Sequence, residues 1–331
     1  MAKSAILRSP LPVFLCLVVF IYEAVVYNWI FACLVLPSRG KEWLAIPFAV
    51  VFDTLWLLSA VSYLRTHFAD PGRIPKSWDA FVARASLLPS SVHSGWQPGR
   101  PAVCKKCDGR VRPERAHHCS ICKVCVLRMD HHCPWTGNCV GFKNYKFFLL
   151  LGIYAWLSSC FALFTALPEL LSCTMSTVGW RGEGDGWRCR ADTWEGGTFL
   201  AFGVVALAIF AALCIMLSGH LPLACQNLTA IEESYDNMDN PYNQHDWVKN
   251  LSQIMGAPGF DWLLPVAPCR PLTDGVSFAR RGEELSVCFD TSGEQPSSES
   301  EEDSEAVQAA MEDIWSQRYT TGLTEAQQAV A

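Results

Sequence analysis

The chain has 331 residues, half of them hydrophobic, and a formal net charge of −6. That charge says little about binding partners, because it arises near the C-terminus, where residues 283–313 contain eleven acids and no Lys or Arg. The apolar residues form four blocks, each close to the ~20 residues that cross a bilayer core. This distribution argues against a large soluble protein with buried core helices.

The four blocks predict membrane-spanning helices at residues 13–36, 44–64, 147–171 and 198–219. The first block is too long for a cleaved signal peptide, and no A-x-A site follows it. We therefore expect it to remain as an anchor.

The distribution of charge predicts the orientation of these helices. Residues 65–146 carry fourteen Lys or Arg against five acids, whereas residues 172–197 carry three Arg against four acids. The positive-inside rule places the first segment and both termini in the cytosol, and the second segment in the lumen. A reducing cytosol also suits the closely spaced thiols of the first segment.

Polar side chains interrupt the first two spans. Glu23 and Asp53 lie near the middle of their helices, with Asn28 close by. Intramembrane carboxylates are costly unless they share partners, and they are often functional. A functional role and a structural one are equally open. In the structural interpretation the consecutive spans run antiparallel, so that Glu23 and Asp53 meet near the midplane and share a proton, which holds the two helices in register.

Residues 104–139 hold seven of the sixteen cysteines and four of the eight histidines, a density typical of metal binding. Two interleaved runs predict two Cys3His sets: Cys104, Cys107, His118 and Cys125, then Cys119, Cys122, His132 and Cys139. Such sets suit tetrahedral Zn²⁺ with no open position, so both metals should be structural. Since the second run begins before the first ends, the ions would cross-brace the segment, and its folding should depend on metal.

Cys133 is left over from both sets. It begins a third copy of the pattern, which fails because position 136 is Thr136 rather than cysteine. It follows Asp130 and His131, and a thiol beside a base that a carboxylate can orient is the arrangement of an activated nucleophile. An inert structural cysteine is the alternative.

The run Asp130-His131-His132-Cys133, set inside a double zinc segment, closely resembles the DHHC protein S-acyltransferases (palmitoyltransferases). The resemblance implies a polytopic membrane enzyme that uses acyl-coenzyme A. Ten residues separate Cys107 from His118, where the family usually has nine, so we expect a bulge within residues 108–112.

Further motifs extend the resemblance from about residue 10 to residue 268. Asp70, Pro71 and Gly72, which alone would be an ordinary turn, match the family's Asp-Pro-Gly. Thr229 and Glu232 match its Thr-Thr-x-Glu, although Ala230 replaces the second threonine. Asn250 matches the asparagine of its C-terminal motif, which is thought to pack the tail against the membrane-proximal core.

Basic residues surround the predicted site, and they would attract coenzyme A phosphates or anionic headgroups: Lys105, Lys106, Arg110, Arg112, Arg115, Lys123 and Arg128. We expect no nucleic acid partner, because a module tethered between two spans cannot lie along DNA and lacks an aromatic stacking pattern.

Small residues in the third span would leave room for an acyl chain running from Cys133. We place Trp135, Ser158 and Ala162 at this acyl cavity. In the predicted luminal loop, Cys173 and Cys189 either form a disulfide or remain free.

We therefore expect an all-α polytopic membrane protein with four transmembrane helices and a cytosolic, cross-braced two-zinc domain between the second and third. The expected order is a cytosolic N-terminus (1–12), a hairpin (13–64), a cytosolic segment (65–146, zinc domain about 100–146), a hairpin (147–219, luminal loop 172–197), C-terminal motifs (220–268) and an acidic tail (269–331). The tail should be largely disordered, with a short helix within residues 311–331.

The expected function is transfer of a fatty acyl group, palmitoyl by preference, from acyl-coenzyme A to cysteine thiols of proteins. Cys133 would form the acyl-enzyme, His131 would act as base and Asp130 would orient it. Expected partners are substrates with membrane-proximal cysteines and the bilayer, with the Golgi or endoplasmic reticulum as location. The alternative is a membrane-anchored zinc adaptor of the ubiquitin-ligase kind, which has no use for the thiol of Cys133.

Overall fold

The computed structural model describes residues 10–84, 99–177, 193–235, 240–283 and 301–319. These residues divide between two compact units. The membrane unit comprises residues 9–64 and 148–219, and the cysteine-rich unit comprises residues 65–147 and 220–331.

Four helices are long and apolar enough to cross a membrane, which confirms the prediction of four spans. They are α1 (Leu11–Ser38), α2 (Ala45–Phe68, preceded by a 3₁₀ turn at Glu42–Leu44), α4 (Tyr145–Thr177) and α5 (Trp194–Cys225). Within α1, the segment Val26–Val35 is π-helical.

Buried aromatic rings form the core of the membrane unit. Tyr27 stacks on Phe52 with ring centroids 4.0 Å apart, and its hydroxyl shares a 2.8 Å hydrogen bond with Thr165. Phe199 and Phe202 are fully buried beside them. All four spanning helices therefore contribute to one buried cluster around Tyr27.

The expected contact between two intramembrane carboxylates is not found. The Asp53 carboxylate instead accepts a 2.8 Å hydrogen bond from the amide of Asn28. Glu23 is buried, and its Oε1 atom has no hydrogen-bond partner among the described residues. An amide can donate to an ionised carboxylate without a shared proton, which favours the pair that forms.

The cysteine-rich unit adds six short strands to an otherwise helical protein. They are β1 (Ala102–Cys104), β2 (Arg110–Arg112), β3 (His117–Cys119), β4 (Val124–Val126), β5 (His131–Cys133) and β6 (Asn138–Val140). They pair as three antiparallel hairpins, β1–β2, β3–β4 and β5–β6. Isolated two-stranded hairpins are marginally stable in water, so these need another source of stability.

The expected bulge within residues 108–112 is absent, since the described hairpin β1–β2 keeps an unbroken register from Ala102↔Arg112 to Cys104↔Arg110. Asp108 and Gly109 form the turn with φ of 50° and 79°. Asp and Gly both tolerate positive φ, so the chain reverses here without disturbing the ladder.

Short helices surround the hairpins: α3 (Lys76–Arg84), α6 (Ala230–Glu233), α7 (Trp247–Met255) and α8 (Glu301–Tyr319), with a 3₁₀ turn at Phe260–Leu263.

The disorder expected from residue 269 onward is not what the described part of this region shows. Val276 and Phe278 are buried, and α8 packs Trp315 and Tyr319 into the cluster that contains Trp78. The aromatic residues supply the apolar area that this packing needs, despite the acidic composition of the segment. Residues 284–300 lie outside the described part of the chain.

Candidate metal centres and active site

The first expected ligand set converges at the hairpins β1–β2 and β3–β4. The His118 Nδ1 atom lies 3.5 Å from the Cys104 Sγ, 3.2 Å from the Cys107 Sγ and 3.8 Å from the Cys125 Sγ. The ladder places His118 directly opposite Cys125. The four ligand atoms therefore face a common centre.

The second set repeats this arrangement at β5–β6. The His132 Nδ1 atom lies 3.8 Å from the Cys119 Sγ, 3.3 Å from the Cys122 Sγ and 3.7 Å from the Cys139 Sγ. His132 lies opposite Cys139 in the ladder. The hairpins β3–β4 and β5–β6 thus each bring one histidine and one cysteine of the same set together.

These donor sets fit zinc. A tetrahedron with Zn–S of about 2.3 Å and Zn–N of about 2.05 Å has S···N edges of about 3.6 Å and S···S edges of about 3.8 Å. The Cys107–Cys125 and Cys122–Cys139 sulfur pairs are 3.8 Å and 3.5 Å apart. All ligand atoms of each set lie within 4.8 Å of one another. The protein therefore carries two Cys3His sets suited to two Zn²⁺ ions, with protein ligands in all four positions.

Cys133 lies outside both metal sets and in contact with the expected base. His131 hydrogen-bonds to the Cys133 thiol, and its Nδ1 atom lies 2.6 Å from Asp130 Oδ2. Cys133 and the Asp130 side chain are buried, while His131 is partly accessible. The three side chains form a chain of thiol, imidazole and carboxylate.

The surroundings favour an ion pair between Cys133 and His131. Burial alone would lower the pKa of His131, but its hydrogen bonds with Asp130 and Cys133 raise that pKa to about 9. Burial alone would raise the pKa of Cys133, but His131 and Thr136 together bring it below its ordinary value. Both shifts act in the same direction, towards a thiolate on Cys133 and an imidazolium on His131.

The Asp130 carboxylate is itself held by the chain after α5. Its Oδ1 atom accepts a 2.9 Å hydrogen bond from the Ala230 N–H. Ala230 begins α6, where Thr229 and Glu232 form a capping box in which each side chain accepts the other's backbone N–H. Because Ala230 contributes its backbone, the missing second threonine hydroxyl is not needed for this contact.

Comparisons with known proteins agree with this geometry. The family model of the DHHC palmitoyltransferase matches residues 97–237. Mouse palmitoyltransferase ZDHHC7 is 32% identical over 259 residues, covering 77% of this chain and 78% of that protein. The Arabidopsis thaliana protein named probable protein S-acyltransferase 15 is 32% identical over 70% of this chain and 87% of its own. Mouse palmitoyltransferase ZDHHC15 is 33% identical over 67% of this chain and 63% of its own.

The chain belongs to the DHHC palmitoyltransferase family. It is accordingly an acyltransferase, and its activity is protein S-palmitoylation through an acyl-enzyme intermediate.

The other DHHC-family motifs lie around this site in the cysteine-rich unit. Asp70 Oδ1 accepts the N–H groups of Gly72 and Arg73, and the Gly72 carbonyl then accepts the Leu127 N–H at 2.7 Å. Gly72 has a φ of 104°, which explains why glycine is needed there. Pro71 completes the turn.

Asn250, the remaining motif residue, is buried in α7. Its amide donates to the Cys225 carbonyl at 2.7 Å and to Asn243, and its oxygen accepts the Gln244 N–H. It thereby fastens α7 to the end of α5.

The structure also corrects the expected basic surface. Arg115 and Arg128 are fully buried and hydrogen-bond to the Asn227 side chain, so neither can attract coenzyme A from solution. The Arg110 guanidinium donates two hydrogen bonds to the Asp79 carboxylate. Among the expected basic residues, the exposed ones are Lys105, Lys106 and Lys123.

Two residues near the site were missed by sequence reasoning. The Asn138 amide donates to three carbonyls at the end of α2, those of Thr66, His67 and Ala69, at 2.9 to 3.1 Å. His220, near the end of α5, has its Nδ1 atom 3.6 Å from Asp130 Oδ2. Neither Asn138 nor His220 shares a sequence motif with the residues that it contacts. For Asn138, the one available signal was its position directly before the metal-binding Cys139.

Proposed function

We propose that Cys133 is the nucleophile of this S-palmitoyltransferase, with His131 as its acid and base and Asp130 as the group that orients His131. The observation that carries this assignment is the hydrogen-bonded chain of these three side chains outside both metal sets. An inert structural cysteine would have no need of an imidazole and a buried carboxylate.

The reaction has two steps. The Cys133 thiolate attacks the thioester carbonyl of palmitoyl-coenzyme A; the bond to the coenzyme sulfur breaks, and His131 gives that sulfur its proton. His131 then takes the proton of a substrate cysteine thiol, whose sulfur attacks the acyl group and releases the Cys133 thiolate. Asp130 holds the ring for both proton transfers.

The metal ions, when bound, supply folding energy and hold β5 in place rather than reacting. Cys104, Cys107, His118 and Cys125 would hold the first, and Cys119, Cys122, His132 and Cys139 the second. His132 is adjacent to both His131 and Cys133, so the second set fixes the strand that carries the reacting thiol.

We further propose that the cysteine-rich unit faces the cytosol of an endomembrane, the Golgi or the endoplasmic reticulum, and acts on proteins with membrane-proximal cysteines. Cytosolic acyl-coenzyme A requires this orientation for Cys133. The disulfide formed by Cys173 near the end of α4 suits an oxidising lumen on the other side. Cys189, the other expected luminal cysteine, lies outside the described residues.

We also propose that Ser158 and Ala162 of the membrane unit line the acyl cavity. Ser158 and Ala162 are buried small residues of α4, and the Ser158 hydroxyl has no hydrogen-bond partner among the described residues. Trp135 is exposed two residues after Cys133. The small side chains of Ser158 and Ala162 leave the space beside α4 that an acyl chain would need.

Bulk in this channel should shorten the preferred acyl chain. Ser158→Phe and Ala162→Phe are expected to favour 14-carbon over 16-carbon acyl-coenzyme A, because each lost methylene contact is worth ~0.8 kcal/mol. Leu167→Phe, at a half-exposed position of the same helix, is the matched control and should leave the preference unchanged. Unchanged preference in both test variants would place the cavity elsewhere.

The function itself is tested by transfer to a membrane-anchored peptide with one cysteine, using the purified full chain in lipid vesicles and radiolabelled palmitoyl-coenzyme A. Label should appear on the peptide cysteine and disappear with a serine peptide or with Cys133→Ser. Cys269→Ser, at an exposed cysteine outside the ligand sets, should transfer normally. A zinc adaptor would leave palmitoyl-coenzyme A unconsumed.

A further inference from the structure

We propose that His220 is a positioning residue for the acyl-transfer reaction, which fixes the Asp130 carboxylate so that His131 stays directed at Cys133. This inference rests on the proposed roles of Cys133, His131 and Asp130. His220 lies outside the Asp-His-His-Cys run, and it comes from a different element, the end of α5.

The geometry places two imidazoles on one carboxylate oxygen. Asp130 Oδ2 lies 2.6 Å from His131 Nδ1 and 3.6 Å from His220 Nδ1. The two rings are 5.4 Å apart between centroids, with planes inclined at 35°. One nitrogen or oxygen atom from each of these three residues lies within 4.8 Å of the other two, so the residues form a compact cluster inside the cysteine-rich unit.

The Asp130 carboxylate needs hydrogen-bond donors because it is fully buried. The Asp130 side chain has 0% exposure, and its Oδ1 atom is occupied by the Ala230 N–H. Oδ2 has two lone pairs, and His131 uses one of them. A second donor at Oδ2 would keep the carboxylate from rotating about its side-chain bond and would compensate its buried charge.

The separation of 3.6 Å is longer than a hydrogen bond, so the two groups are adjacent but not yet hydrogen-bonded. Hydrogen bonds in catalytic sites are often long before substrate binds and shorten in the reacting complex. His220 with its proton on Nδ1 would then donate to Oδ2. The end of α5 is thereby coupled to Asp130 and His131 through one side chain.

Two substitutions separate positioning from packing. His220→Asn keeps an amide N–H close to the place of Nδ1, whereas His220→Leu keeps much of the volume and removes the donor. Ser218→Ala is the control, because the Ser218 hydroxyl bonds within its own helix, to the Ile215 carbonyl. Zinc content and thermal stability are measured for each variant in the full chain.

We expect His220→Leu to lower kcat for transfer by about tenfold or more, the scale at which lost orienting partners are felt, with the KM for palmitoyl-coenzyme A within about twofold. His220→Asn should recover most of the loss, and both variants should keep two zinc ions. If His220→Leu does not fold, His220→Ala replaces it under the same expectations.

The inference is overturned if both variants react like the wild-type protein, if both lose kcat equally, or if KM rises while kcat is unchanged. Equal losses would mean that ring shape matters, and a KM effect would mean substrate binding. Labelling of Cys133 in the wild-type protein is measured alongside. If Cys133 of the wild-type protein is labelled normally and the His220 substitutions have no effect, only this inference is wrong. If Cys133 of the wild-type protein is not labelled, the proposed function itself is wrong.

Discussion

At the scale of single residues, Arg115 connects the segment between β2 and β3 to α6 and the chain just before it. It makes two 2.6 Å contacts with the Glu232 carboxylate and also donates to the Asn227 side chain and carbonyl. The rings of Tyr242 and Phe278 cover its guanidinium at 4.2 Å and 4.7 Å. Burial alone would raise the pKa of Glu232, but Arg115 holds it below its ordinary value, so the pair is ionised at neutral pH.

Glu232→Gln should therefore destabilise the protein by about 3–5 kcal/mol, because it leaves the buried guanidinium of Arg115 uncompensated. Thermal unfolding measures this loss. Glu233→Gln, at the adjacent exposed position, should change stability by less than about 0.5 kcal/mol. Equal effects of the two substitutions would mean that the buried pair is not what holds α6 in place.

Residues that share a local pattern were predictable, and residues brought together only by the fold were not. Ligand spacing predicted both metal sets and isolated Cys133 as the leftover thiol. His220 lies far along the chain from Asp130 and belongs to no repeat, so spacing carries no information about it. The burial of Arg115 was missed for the same reason, since its partner Glu232 comes from a distant helix.

At the scale of elements, the hairpins depend on metal because each strand has three residues. The two ligand sets are interleaved, so losing one should loosen the other. We expect Cys119→Ser to reduce bound zinc from two ions to fewer than one per chain, measured by metal analysis of the purified protein.

Cys269→Ser is the control for this experiment and should keep both ions. A Cys119→Ser variant that retains one full equivalent of zinc, with an intact first set, would show that the two sets are independent rather than cross-braced.

The C-terminal helix α8 docks through two aromatic residues. Trp315 lies 5.6 Å from Trp78 and 5.5 Å from Phe81 between ring centroids, and its indole donates to Asp274 at 2.7 Å. The Tyr319 hydroxyl donates to the Val276 carbonyl. This helix closes the apolar cluster that also contains zinc ligands of the first set.

Trp315→Ala should cost about 3–5 kcal/mol, the usual loss for a large aromatic removed from a core. It should also speed removal of zinc by a chelator, which an absorbing zinc indicator can follow. Asp313→Ala, on the exposed face of the same helix, should do neither. Identical unfolding and zinc release in both variants would contradict docking of α8.

The docking of α8 shows where composition misleads. Eleven acids in residues 283–313 predicted disorder. Met311, Trp315 and Tyr319 are spaced four residues apart, so they fall on one face of a helix. That spacing was the signal, and its three apolar side chains outweigh the surrounding charge.

At the scale of the whole molecule, the four spans were predictable because length and hydropathy are local properties. The orientation is tested by glycosylation. Asn227 and Asn250 begin acceptor sequons, but both are buried. If they carry no glycan, either their burial or a cytosolic location would explain it. An acceptor introduced in the expected luminal loop by Asp185→Asn with Trp187→Thr removes this ambiguity.

The proposed orientation predicts that the introduced acceptor is glycosylated in cells, seen as a mobility shift that glycosidase removes, while the unaltered chain shows none. A glycan on Asn227 or Asn250, or no shift from the introduced acceptor, would contradict a cytosolic Cys133.

The most direct test of the central claim is covalent labelling of Cys133. The purified full chain is incubated with radiolabelled palmitoyl-coenzyme A without substrate protein, and the label is mapped by digestion before and after hydroxylamine. We predict one hydroxylamine-labile acyl group on the peptide that contains Cys133, absent from Cys133→Ser although that variant binds two zinc ions. Undiminished labelling of Cys133→Ser, or no label on the zinc-loaded wild-type protein, would contradict the account.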